Sequence, residues 1–265
     1  MKERLKSIKH VAMDMDGTIY RGNELFPETK PFLALLEKMN ISYSFLTNNS
    51  SKSTRDYLNK LKKMDILIQE EQMVSSVIHT IDYLKKNHPA FSRIFVAGTE
   101  SLREQFILDG FKLVDDNPQV VVLGSDLNHD YNRLCKAAYW IKKGCLWLTT
   151  HPDIEIPIET DTCWIDCGAL TVCLEKVCGC RAQVMGKPNS SMLDITASRA
   201  GVSTEYIAMI GDQMQTDIRL ARNTGALGVH ISSATKVDDD IADLRVANLA
   251  EFGRLLLKSK TVELI

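Results

Sequence analysis

Asp14 and Asp16 flank a single methionine at the end of an apolar run, Val11, Ala12 and Met13, and a glycine and a threonine follow at once. Asp and Gly are ordinary turn residues where a buried strand ends, so one aspartate there needs no explanation. Two so close together concentrate negative charge, which raises a pKa or demands a cation. The same construction returns in YIAMIGD, where Asp212 closes a second apolar run and Asp217 follows five residues later. If the two runs are neighbouring strands, Asp14, Asp16 and Asp212 meet at one sheet edge. A hard cation with oxygen ligands is the natural neutraliser. Magnesium suits the set better than zinc, because no histidine or cysteine stands in these loops. Each aspartate taken alone also reads as a turn or helix cap.

A magnesium ion beside a carboxylate suits phosphoryl transfer, since the metal offsets charge on the phosphoryl oxygens while an anionic nucleophile approaches. In that chemistry Asp14 attacks phosphorus to form an aspartyl-phosphate. Asp16 protonates the leaving group and then activates water. Gly17 lets the backbone turn so that amides face the phosphate. Hydroxyl and positive donors come from Thr47 and Asn48 in LTNNS and from Lys187 in MGKPNSSML. Gly186 and Pro188 set Lys187 in a turn, ahead of a helix expected to start at Ser190 or Ser191 and so at a phosphate-friendly helix terminus.

These residues need a frame that ends strands side by side. IKHVAMD reads as a buried strand, residues 27–40 as a helix with Phe32, Leu35, Leu36 and Met39 on one face, residues 41–51 as a strand running into a polar loop, and 53–64 as a second helix. The alternation continues: strands at 93–98, 119–126 and 145–153, and helices before 88, at 101–110, 131–144 and 168–179. After 202 come another apolar run, a helix, a strand, and then a loop, short strand and closing helix over 237–257. Strand–helix alternation with short links argues for parallel sheets covered by helices. In such sheets ligands bind beyond the carboxyl ends of the strands.

The balance of 32 basic and 34 acidic side chains, formal charge −2, gives no polyelectrolyte argument for nucleic acid or membrane surfaces. No stretch approaches the roughly 20 apolar residues of a membrane span, and the first residues lack a secretion-type apolar segment. A cytoplasmic location is expected. Five of the seven cysteines crowd between 163 and 180, but their spacings match no zinc-binding pair pattern. Buried free thiols in a reducing compartment are the better expectation.

Taken together, DMDGTI, LTNN, GKP and GDQMQTDI resemble the four signature motifs of the haloacid dehalogenase superfamily of phosphatases. Their order and separations look like its NagD-like, or 4-nitrophenylphosphatase-like, branch. DxDGT with GDxxxTD is a specific combination; GKP or TNN alone is weak. The resemblance covers nearly the whole chain. It implies an α/β fold, with a Rossmann-like parallel-sheet core (1–79 and 186–265) and an inserted α/β cap of the C2 type (80–185). It implies Asp14 as nucleophile, Asp16 as general acid and base, and Lys187 as a catalytic and phosphate-binding lysine paired with Thr47, with Asn48 beside them. Magnesium is then held by the Asp14 side chain, the Asp16 backbone carbonyl and Asp212, with Asp217 supporting the metal or the lysine from behind.

Relatives often carry NPD, and later PG with a small residue, on cap loops. THPDIEIP and IDCGAL keep Asp153 but bring His151, Asp166 and Cys167. Asp166 either faces the substrate, disfavouring polyanions, or caps the helix that follows. The expected activity is magnesium-dependent hydrolysis of small phosphomonoesters: sugar phosphates, nucleoside monophosphates or aryl phosphates. A phosphotransferase or mutase using the same intermediate stays open, as does a non-catalytic binding protein of the same fold. Assembly into a homo-oligomer through the cap is also open. A dinucleotide-dependent dehydrogenase is disfavoured, because no glycine-rich fingerprint opens a helix after the first strand.

Overall fold

The computed structural model describes residues 1–156, 162–232 and 241–260. The chain forms two compact units, one of Met1–Thr47, Lys60–Val74 and Lys187–Ile265, the other of Asn48–Asn59 and Ser75–Gly186. Each is built on a parallel sheet, so the architecture is a Rossmann-like core with an inserted α/β unit.

In the first unit the sheet order is Leu244–Val246, Leu227–Ile231, Ile207–Gly211, His10–Asp14, Ser42–Thr47, Met73–Ser75. His10–Asp14 is central and buried along its whole length, as the run of apolar residues predicts for a parallel strand covered on both faces. It pairs in parallel with both neighbours: Met13 lies opposite Ile210, and Asp14 opposite Leu46. The condition for the acids to meet, that the two carboxylate-ending runs are adjacent strands, is satisfied, and Asp14, Thr47 and Asp212 stand at one edge. The loop expected from Val237 begins outside the described residues.

In the second unit the order is Gln183–Val184, Leu146–Thr149, Val120–Leu123, Arg93–Ala97, Lys112–Leu113. Successive strand residues face opposite ways. Ile94, Val96, Val120 and Val122 therefore pack with Val77, Ile81 and Leu102 on one face, while Phe95, Ala97, Val121 and Leu123 pack with Ala137, Ile141 and Leu174 on the other.

The boundaries of the units differ from the expected 79/80 and 185/186. A cut after His79 falls inside the helix Ser76–Asn87, whose Val77, Ile81 and Leu84 share one core, so the whole helix goes with the second unit. Residues 48–59 go with it too. Thr99 Oγ1 donates to the Ser51 carbonyl at 2.8 Å, and the Thr54 amide donates to Gln105 Oε1 at 3.0 Å.

The seven cysteines are free thiols, but only Cys167 is fully buried; Cys135, Cys163, Cys173 and Cys180 are exposed, against the expectation of buried thiols. Cys135 and Cys173 lie on outward faces of helices and Cys163 and Cys180 in exposed connecting segments, which cysteine spacing does not reveal. Among the described residues no helix is long and apolar enough to cross a membrane.

Candidate active site

Asp14 is the last residue of the central strand and is buried. Lys187 Nζ donates to its Oδ1 at 2.5 Å and to Asp217 Oδ1 at 2.7 Å. The lysine is only 2 % exposed and Asp217 has no exposed surface. Carboxylate oxygens of Asp14, Asp212 and Asp217 all lie within 4.8 Å of one another. Asp217 thus belongs to the acid cluster itself as well as to the lysine. It reaches back because Met214–Ile218 forms one wide, π-type turn, a device common at functional sites. Its second oxygen accepts from the Gln213 amide at 3.1 Å.

Two glycines make room for these acids. Gly17 sits at φ +85°, in the left-handed region, and a Cβ there would collide with the Asp212 carboxylate. A Cβ at Gly211 would collide with the carboxylate of Asp217. The glycines of DGT and IGD are therefore required by side-chain approach, and at Gly17 also by backbone conformation.

The electrostatics are unbalanced. Burial alone would lower the Lys187 pKa, but Asp14 and Asp217 outweigh it and hold the ammonium charged. One cation faces three carboxylates. Burial, with Asp217 and Asp212 adding to it, pushes Asp14 well above the usual carboxylate range against the pull of Lys187. Burial, with Asp217 next, pushes Asp212 up to about 6. Asp212 Oδ1 is buried with no hydrogen-bond partner. Uncompensated charge and an orphaned carboxylate oxygen, in an all-oxygen donor set, fit a hard divalent cation. Among the described residues this is the only such cluster of histidine, cysteine or acidic side chains.

The structure gathers Asp14, Lys187, Asp212 and Asp217. Thr47 ends the neighbouring strand, buried. Asp16 is exposed, two residues beyond Asp14, and its backbone bridges to Tyr20. Asn48, next in the chain after Thr47, belongs to the second unit, where its Nδ2 donates to Asp153 Oδ1 and Oδ2 at 3.3 and 3.2 Å.

Of the two readings of Asp166, helix capping is the one observed: its carboxylate accepts from the Cys167 amide at 2.7 Å. Cys167 faces no solvent, its sulfur lying 3.0 Å from Thr149 Oγ1. Sequence reasoning noted His151 only as a departure and missed Ser125 altogether. Both are buried in the second unit, with Ser125 Oγ 2.7 Å from His151 Nε2. No local motif joins residues 26 positions apart, so only the polar residue at a strand end, in THPD, hinted at it.

Residues 11–112 match the family model of haloacid dehalogenase-like hydrolases, and residues 184–252 match a second HAD-hydrolase-like model. The acid sugar phosphatase of Staphylococcus aureus strain USA300 is 28% identical over 252 residues, covering 95% of this chain and 96% of that protein. The crystal structure of the 4-nitrophenylphosphatase from Thermotoga maritima superposes with a TM-score of 0.89 at 32% identity, covering 95% and 98% of the two chains. NagD from E. coli K-12, at 24% identity and a TM-score of 0.82 over 92% and 98%, shares the fold.

Proposed function

This chain belongs to the haloacid dehalogenase-like hydrolases and is a phosphatase of their NagD and 4-nitrophenylphosphatase-like branch, and we propose that it hydrolyses small phosphomonoesters through an aspartyl-phosphate on Asp14. The observation that carries this reading is the gathering of buried Asp14, Lys187 and Asp217 with half-buried Asp212 at the carboxyl end of the central strand. An Asp14 oxygen attacks phosphorus and the ester P–O bond breaks. Asp16, exposed and two residues on, gives its proton to the departing alkoxide. It then takes a proton from water, whose oxygen attacks the phosphoenzyme, releasing phosphate and restoring Asp14. Lys187 holds Asp14 oriented and, with Thr47, binds the phosphoryl oxygens, with Asn48 beside them.

Asp14, Asp212 and the Asp16 backbone carbonyl would hold magnesium, with Asp217 behind, and the ion when bound neutralises charge on the phosphoryl oxygens. The names of the S. aureus and T. maritima relatives support sugar and aryl phosphates as the substrate class. Seven free thiols support a reducing, cytoplasmic setting.

The test is phosphate release from a panel of sugar, nucleoside and aryl phosphates, with magnesium and with a chelator. Magnesium-dependent release is expected, abolished by Asp14→Asn. Release that survives Asp14→Asn, or none from any member, overturns the reading.

A further inference from the structure

The strand Leu227–Ile231 consists of apolar residues and a glycine except for His230, which is only 4 % exposed. Burying an imidazole there costs desolvation that a valine would not, and the steps above do not use it. Its Nε2 lies 2.9 Å from the backbone carbonyl of Asp212; a carbonyl only accepts, so Nε2 is the donor. Nδ1 has no hydrogen-bond partner. Among the described residues, the hydrogen bonding of this ring therefore goes to Asp212 alone.

That carbonyl belongs to the first peptide past the strand. Pairing with Leu227–Ile231 reaches Gly211, opposite His230, and the peptide joining Asp212 to Gln213 lies beyond it. This peptide is held from both ends. His230 takes its oxygen, and its N–H, from Gln213, donates to Asp217 Oδ2 at 3.1 Å. A peptide unit is planar, so holding its oxygen and its N–H sets the plane. From that plane start both the Asp212 side chain and the wide turn that brings Asp217 back. Asp212 does not do this for itself: its Oδ1 is unpartnered, and the hydrogen bond its carboxylate does accept comes from its own amide. Asp217 is a member of the acid cluster and is shared with Lys187, whereas His230 is independent of the acids.

We propose that His230 is a positioning residue for the metal site: by holding the carbonyl of the Asp212–Gln213 peptide it sets the direction of the Asp212 carboxylate before a cation arrives. The inference rests on the reading of Asp212 as a magnesium ligand. Partners that orient a ligand from behind are typically worth roughly 10–100-fold in metal affinity. A bond to the ligand's backbone, one step removed from the coordinating oxygen, belongs at the lower end of that range.

The test is calorimetric titration of the metal-free full chain with magnesium chloride, with turnover of 4-nitrophenyl phosphate against magnesium concentration beside it. Wild-type protein that binds no magnesium, or Asp212→Asn that binds it as tightly as wild type, would overturn the parent reading and the inference with it. Given that reading, His230→Phe keeps a ring and loses the donor. Its magnesium affinity is expected to fall about tenfold, with kcat at saturating magnesium within about threefold of wild type. His230→Gln carries an amide nitrogen to the place of Nε2 and should recover affinity to within about threefold. His230→Asn, one bond shorter, should not. If His230→Phe does not fold, the Gln and Asn variants decide, the Asn variant being expected to bind magnesium several-fold more weakly. Wild-type magnesium affinity in His230→Phe, even with a lowered melting temperature, would overturn positioning, as would equal affinities in the Gln and Asn variants.

Discussion

Lowering the pH from 7.5 to 4 perturbs two buried histidines, one in each unit. His10 sits between the hydroxyls of Ser42 and Ser44, at 2.7 and 2.8 Å, and burial lowers its pKa to about 4. His79 is lowered to about 4 by burial as well, and its Nδ1 is the acceptor for the Gly186 amide. In the unfolded chain both titrate near 6.5. Between those values the unfolded state binds more protons, so stability is full above pH 6.5, falls as the pH drops, and levels off below 4. A shift of about 2.5 units at about 1.4 kcal/mol per unit gives about 3 kcal/mol for each histidine. Asp14 and Asp212, with raised pKa values in the metal-free fold, act with the opposite sign, so the informative quantity is variant against wild type. Urea unfolding at several pH values of wild type, His10→Gln and His79→Gln would measure it. Each variant should gain on wild type by about 3 kcal/mol between pH 7.5 and 4. Stability curves that stay parallel across that range would refute the reasoning.

Asp16→Asn is expected to fold normally and lose about 10²–10⁴ in turnover of alkyl phosphates. With 4-nitrophenyl phosphate, whose leaving group needs no proton, it should release a burst near one equivalent and accumulate phosphoenzyme, read by rapid quench and intact mass. Gly17→Ala forces a side chain toward the Asp212 carboxylate at a left-handed φ, a backbone cost of about 1–2 kcal/mol. Its magnesium affinity, titrated against activity, should fall about tenfold or more. Cys167→Ala removes a fully buried sulfur and should lower unfolding free energy by about 1 kcal/mol while the ranking of substrates stays unchanged, since the thiol faces Thr149.

The strands and their terminal acids were legible because a parallel strand buried on both faces is a nearly continuous apolar run, and it must end in something polar. That logic located Asp14 and Asp212; that their strands are neighbours, the condition for the acids to meet, is what the fold adds. It did not reveal Asp217 inside the acid cluster, because a wide turn at Met214–Ile218 leaves no mark in residue spacing. Nor could helical periodicity tell which core the helix Ser76–Asn87 faces: its apolar stripe is the same whichever unit covers it. Cys167 and Asp166 were noticed as departures, and the cap at Asp166 is local enough to be one of the readings, but the contact of the Cys167 sulfur with Thr149 depends on a residue distant in sequence. Partners brought together by topology are what a linear reading lacks.

The order of strands has a consequence for a chain emerging from the ribosome. The second unit is complete once Gly186 is out, since all its strands lie before that residue. The strand His10–Asp14, made among the first, waits for Ile207–Gly211 to pair its other edge. At typical synthesis rates of about 5–20 residues per second, that wait is on the order of 10–40 s. During it the inserted unit has time to fold, while an apolar central strand keeps one edge unpaired and open to wrong partners. Nascent chains arrested with Gly186 clear of the ribosome but Ile207 not yet emerged should therefore protect the amides of Val120–Leu123 from exchange before those of His10–Asp14, and equal protection would show that the first sheet does not wait.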